Sequence, residues 1–156
     1  MAATDQKPLR LIAFDEEDLQ VISAHLQDAV LLVSDMTYLP DGKRFAAIAN
    51  RFNWVQALAD GNERRRQFER QRSALRFERV LSAQLQNIDL KSKDTVLELL
   101  AVQFEAGEPP AGQVTLVFAG GAAIRLRVEC IEAELKDLGI AWRTKRKPAH
   151  PDETNV

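Results

Sequence analysis

The chain has one cysteine, two histidines and no long apolar run among its 156 residues, and each scarcity excludes something. Cys130 has no second cysteine to bridge to, which also rules out a zinc site built from several thiolates and fits a reducing compartment. No apolar stretch approaches the roughly 18 residues of a membrane-spanning helix. The opening MAATDQKPLRLIAF lacks the apolar core and small-residue cleavage pattern of a signal peptide. A cytoplasmic protein with no membrane association is the expectation. Phosphate-cradling and calcium-loop signatures are missing too, since there is no GxGxxG, no GxxxxGK[ST] and no DxDxDG. No internal repeat and no low-complexity tract appears.

What is present is ordinary for a folded domain. Hydrophobic residues make up 46% and charged residues 28%, enough apolar material for one core without staples. The spacing predicts a single domain over residues 8–142 with flexible termini at 1–7 and 143–156, the latter charged and broken by Pro148 and Pro151.

Leu9 to Ala13 reads as a strand, and Asp15 as the N-cap of a helix from Glu16 to Asp28 with its apolar stripe on Leu19, Ile22, Leu26 and Ala29. Val30–Leu39 and Arg44–Trp54 flank the turn Pro40-Asp41-Gly42 as a hairpin. Residues from Ala59 to about Gln71 read as loop or short helix. Ser73–Leu81, Thr95–Glu105, Gln113–Ala119 and Ala123–Val128 are further strands, the last two joined at Gly120-Gly121. Within Ser73–Leu81 the inward face is expected to carry Leu75, Phe77, Arg79 and Leu81. Glu129 to Leu138 has Ile131, Leu135 and Leu138 at helical spacing with Gly139 where a C-cap glycine belongs, which predicts a C-terminal helix. The fold class expected is therefore α+β: a curved antiparallel sheet of about six to seven strands with an N-terminal helix and a C-terminal capping helix. Pleckstrin-homology-like domains have one topology consistent with this order.

The charge is uneven. Residues 1–40 carry 2 basic and 7 acidic side chains, residues 41–80 carry 10 and 5, and residues 81–156 carry 9 and 11. Within the basic island, Arg64, Arg65, Arg66, Arg70, Arg72 and Arg76 are the candidate anion-binding residues, because forked guanidinium donors suit phosphates and carboxylates. A solvated face, or an internal partner for the acidic N-terminal helix, explains the same run. His25 and Asp28 are spaced for a pair on one helix, but no nucleophile motif accompanies them. Asp15, Glu16, Glu17 and Asp18 suit a first helical turn without any metal. Cys130, between Glu129 and Ile131 with Glu132 nearby, is expected to be a buried or half-buried, unreactive thiol. Trp54 and Trp142 stand at element ends, where either could cover a core edge or meet a partner.

Leu9-Arg10-Leu11-Ile12-Ala13, Asp18 to Val30 (DLQVISAHLQDAV), Tyr38-Leu39-Pro40, Arg51-Phe52-Asn53-Trp54 and Phe118 to Gly139 (FAGGAAIRLRVECIEAELKDLG) carry a likeness. Through them the chain resembles the bacterial domain-of-unknown-function family 2948, known chiefly from alphaproteobacteria. The AGG turn followed by VECIEA is the most specific part. The resemblance implies a small stand-alone cytoplasmic protein and brings no substrate, cofactor or catalytic residue with it.

The functional expectation is a non-enzymatic domain that binds another protein or itself, without cofactor. Two alternatives stand beside it: nucleic-acid or other polyanion binding through the arginine-rich segment 64–79, and an enzyme or ligand pocket formed by residues that converge from separate strands.

Overall fold

Asp15 starts the first helix as its chemistry predicts. Its carboxylate accepts the Asp18 amide at 2.8 Å, while the Asp18 carboxylate accepts the Phe14 amide at 3.1 Å, so exposed donors at the helix start are satisfied. The structure is a computed structural model, which describes residues 8–52 and 69–143. Its elements are β1 (Arg10–Ala13), α1 (Glu16–Leu26), β2 (Val30–Leu39), β3 (Arg44–Phe52), β4 (Glu69–Phe77), β5 (Val80–Gln86), β6 (Val96–Ala106), β7 (Gly112–Phe118), β8 (Ala123–Val128) and β9 (Ala133–Arg143). Among the described residues α1 is the one α-helix, and Leu19, Ile22 and Leu26 are its buried stripe.

All nine strands belong to one antiparallel sheet in the order β1-β9-β4-β3-β2-β6-β7-β8-β5. Chain connectivity forces that sheet to fold over on itself. β4 and β5 stand six strand positions apart, about 29 Å on a flat sheet at about 4.8 Å per strand. Only Glu78 and Arg79 join them, and such a link reaches about 11 Å. The β8–β9 connection, Glu129 to Glu132, spans the same six positions. Both links cross between the two halves of the sheet, so the halves face each other and β2 is the hinge strand. The core lies between them: Phe45, Leu75, Phe77 and Leu135 from one half meet Leu99, Leu116, Phe118, Ile124 and Leu126 from the other, all nearly or fully buried.

Several expectations require correction. The α+β class with a second, C-terminal helix is not the fold observed. Ala133–Arg143 is β9, seated between β1 and β4, so a sheet capped by a C-terminal helix, as in pleckstrin-homology-like domains, does not describe it, and the described residues alone form nine strands, not six or seven. Ile131 and Leu135 are buried as expected, but Leu138 is 52% exposed. Residues 131 and 135 are an even number apart and share a face in a strand as readily as in a helix. Leu138 stands an odd number of positions from Leu135, so in a strand it points to the opposite face. Gly139 is no C-cap; at φ +136 it sits where the β9–β4 register shifts, a bulge conformation that favours glycine. The predicted strand Ser73–Leu81 is two elements, β4 and β5, divided by Arg79 at φ +62. That reversal turns Val80 inward, fully buried, and leaves Leu81 exposed. β4 also begins at Glu69, inside the segment read as loop, and β9 runs to Arg143, the first residue of the expected tail.

Other expectations match. β1, α1, the β2–β3 hairpin, β6 and the β7–β8 hairpin through Gly120 and Gly121, both at positive φ, stand where the patterns put them. The termini 1–7 and 144–156, Trp54, His150 and most of the segment read as loop lie outside the described residues, and so does the side chain of Trp142.

Candidate functional site

Among the described residues of the arginine-rich segment, Arg70 and Arg76 are engaged internally. Arg70 is half-buried: its guanidinium lies 5.6 Å from the Phe52 ring centroid and donates to the carbonyl of Asp28 at 3.2 Å. Burial pulls its pKa below the usual arginine range, against the opposing charges of Asp28 and Glu98. Arg76 donates to Glu134, and to Glu78 at 2.6 Å; these hydrogen bonds, the one to Glu134 foremost, raise its pKa. Arg10 donates to the other oxygen of Glu134 at 2.6 Å, and Arg44 donates at 2.8 Å to the same Glu78 oxygen, Oε2, that Arg76 uses. The result is an alternating ladder, Arg10-Glu134-Arg76-Glu78-Arg44, over the outer face from β1 across β9 and β4 to β3. Arg72 is exposed on β4. Arg64, Arg65 and Arg66 lie outside the described residues. Among those described, Glu16, Glu17 and Asp18 are not the carboxylates that the arginines meet: Arg76 pairs with Glu134 on β9 and Glu78 at the β4–β5 turn, Arg79 with Glu132 in the β8–β9 connection, and Arg70 lies near the charges of Asp28 and Glu98.

A second ionic cluster is buried. Arg51 (β3), Ser73 (β4) and Asp137 (β9) meet on the inner face of three adjacent strands. Arg51 donates to both Asp137 oxygens, from Nε at 3.1 Å and Nη2 at 2.9 Å, and both side chains are 5% exposed. Ser73 Oγ donates to Asp137 at 2.7 Å, and the Leu9 amide at 2.9 Å. Burial by itself would push the Asp137 carboxyl up; the hydrogen bonds from Arg51, Ser73 and Leu9, with the Arg51 charge, outweigh it and hold the pKa below the usual value. Every Asp137 oxygen has at least two donors, so the cluster is a clamp tying the chain before β1 to the middle of the sheet. The sequence reading missed it. The available signal was Arg51 ending the apolar alternation Phe45, Ala47, Ala49 on one strand face.

Among the described residues, a groove of about 380 Å³ lies where the two halves part. Val33, Met36 and Tyr38 of β2 and Phe45 of β3 form one side, and Ala83 and Leu85 of β5 with Ile124 of β8 form the other. Leu90 and Lys93, from the β5–β6 connection, close one end. Phe45 and Ile124 at its floor are buried, whereas Leu85 is 39% and Leu90 55% exposed. Lys93 is the one charged side chain among the described lining residues. None of the groove residues was a candidate in the sequence, because they come from four separate segments.

The remaining candidates are placed as follows. His25 points its Nδ1 at the Val21 carbonyl, 3.0 Å away, which places a ring N–H there as donor; this is a helix-internal contact and not a pair with Asp28. Cys130 is half-buried between β8 and β9. Among the described residues no three His, Cys, Asp or Glu side chains are grouped to hold a metal ion. Among them, too, no helix is long and apolar enough to cross a membrane.

The family model described as "Protein of unknown function (DUF2948)" matches residues 9–150. No curated protein and no solved structure matches the chain.

Proposed function

We propose that this chain, which belongs to the DUF2948 family, is a binding domain whose receiving surface is the groove between β2 and β5. The observation that carries this reading is the groove's make-up: a mainly apolar trough, with Ser34 and Thr37 among its β2 lining, a buried floor, two large leucines exposed on its wall and rim, and a single lysine at one end. Exposed leucines beside a concave apolar surface mark a place that gains by being covered. The charged clusters offer less to a substrate. The Arg51–Asp137 clamp is buried and internally satisfied, and the ladder on the outer face pairs its cations with its own carboxylates. A single half-buried cysteine supports a reducing, cytoplasmic setting.

Polyanion binding through Arg70, Arg72 and Arg76 is the weaker reading, since Arg76 already has two carboxylates and Arg70 lies against Phe52; Arg72 is the exposed one of the three.

The test is photo-crosslinking inside the native cell with a benzophenone amino acid at position 85, and at position 84 on the opposite face of β5 as control. A protein captured at 85 alone, which when purified binds the wild-type chain and loses at least tenfold in affinity to Leu85→Asp, is the expected result. Equal labelling from both positions, or binding indifferent to Leu85→Asp, would remove the groove from consideration.

A further inference from the structure

β2 and β6 pair only over Val30–Leu32 and Val96–Glu98 and then diverge, so each overhangs the other. The β6 overhang is covered by α1, and Ser23 Oγ accepts the Val102 amide at 2.9 Å. The β2 overhang is treated differently. Val33 and Ser34 still donate to the carbonyls of Thr95 and Lys93 at 3.0 and 3.2 Å. There the β5–β6 connection turns away. Met36–Leu39 pair with β3 on one side, and among the described residues no strand pairs with their other side. Across the groove lies β5, an edge strand paired with β8 alone among the described strands. Two hydrogen bonds bridge this region to β5: the Val80 amide donates to the carbonyl of Lys43, in the β2–β3 turn, at 2.9 Å, and Tyr38 Oη of β2 donates to the Val80 carbonyl at 3.4 Å.

The groove is therefore walled by strand edges and floored by apolar side chains. Strand edges present rows of amide and carbonyl groups that another polypeptide backbone satisfies in register, whereas an aliphatic ligand leaves them without partners. A strand laid beside Met36–Leu39 would continue the line that the chain leaves at Lys93. Its alternate side chains would point to the floor at Phe45 and Ile124. Lys93 supplies the charge complementarity: it stands at the end where the β5–β6 connection meets the groove, so it favours an acidic residue there.

We propose that the occupant is an extended segment of another protein, apolar at alternate positions and bearing an acidic residue, which adds to β2 as a strand with its carboxylate beside Lys93. This deepens the groove reading and rests on it.

The probe is a displayed library of seven-residue peptides selected on the intact chain. Enrichment of alternating apolar residues with one Asp or Glu is expected. A selected peptide should lose at least tenfold in affinity when its alternate amides are N-methylated, and Lys93→Glu should reverse its preference between an acidic and a basic residue at that position. No enrichment, or affinity unchanged by N-methylation, overturns the strand proposal. So does decanoate displacing dye from the groove while no peptide does, which would assign a small apolar anion. A dimer in sedimentation equilibrium that Lys93→Glu dissolves would give the groove to a second copy and overturn it equally. The photo-crosslinking above separates the failures: specific capture at position 85 with no selected peptide sinks the strand alone, and non-specific capture sinks the groove reading with it.

Discussion

Asp137 is the residue on which the inner face of β9 turns from apolar to ionic, and its substitution has a definite consequence. Asp137→Asn keeps the shape but leaves Arg51 buried with no counter-charge, a change that costs about 3–5 kcal/mol. Urea unfolding at neutral pH measures it, and a loss under about 1 kcal/mol would mean that the clamp contributes little beyond its packing. The pH dependence has a fixed sign. The folded pKa of Asp137 is depressed, so its contribution is fully present above the unfolded value of about 3.9 and is lost as pH falls through the lower folded value. Glu134, also depressed, chiefly by its hydrogen bond from Arg76, titrates in the same direction. Asp137→Asn should therefore flatten the fall of stability below about pH 4 without abolishing it.

At the scale of elements, β9 is where helix-forming composition loses to sheet geometry. Ala-Glu-Leu-Lys-Asp-Leu is rich in good helix formers, but propensities differ by only tenths of a kcal/mol per residue. β9 gains pairing on both flanks, to β1 and to β4, and buries Ala133 and Leu135. The strand assignment separates two leucines that a helix would treat alike. Leu135→Ala, at full burial, should cost about 2–5 kcal/mol, while Leu138→Ala should stay within about 0.5 kcal/mol. Thermal or urea unfolding of both variants decides it, and comparable losses would restore the helical face. The same tertiary logic explains Arg79: a two-residue crossing between sheet halves requires an abrupt reversal, and a residue at positive φ provides it.

At the scale of the molecule, the charge asymmetry along the chain is partly erased by folding. The basic island of the middle third meets Glu134 on β9, from the last third of the chain, and Glu78 from within the island itself, and Arg10 joins from β1. A field that looks cationic in sequence is thus mixed in space. Arg72→Gln with Arg76→Gln should lower stability by about 1 kcal/mol or less, since these pairs are partly exposed and screened. Binding to single- or double-stranded nucleic acid should be negligible at about 0.15 M salt, where the Debye length is about 8 Å. Fluorescence anisotropy checks this, and affinity at that salt which the double variant loses would restore the polyanion reading.

The local elements were legible from the sequence because their causes are local. Asp15 caps α1, the Leu19–Ile22–Leu26 stripe faces the core, and Pro40-Asp41-Gly42 and Gly120-Gly121 turn their hairpins wherever those segments lie. What only the tertiary structure decided has non-local causes. Ile131 and Leu135 fit a period of two or of nearly four, and pairing of β9 with β1 and β4, more than 50 residues away in sequence, chooses between them. Arg51, Ser73 and Asp137 become one clamp only when three strands are brought side by side. The groove exists because β2 and β6 part company while short links hold β5 across from them, and no window of sequence contains that relation.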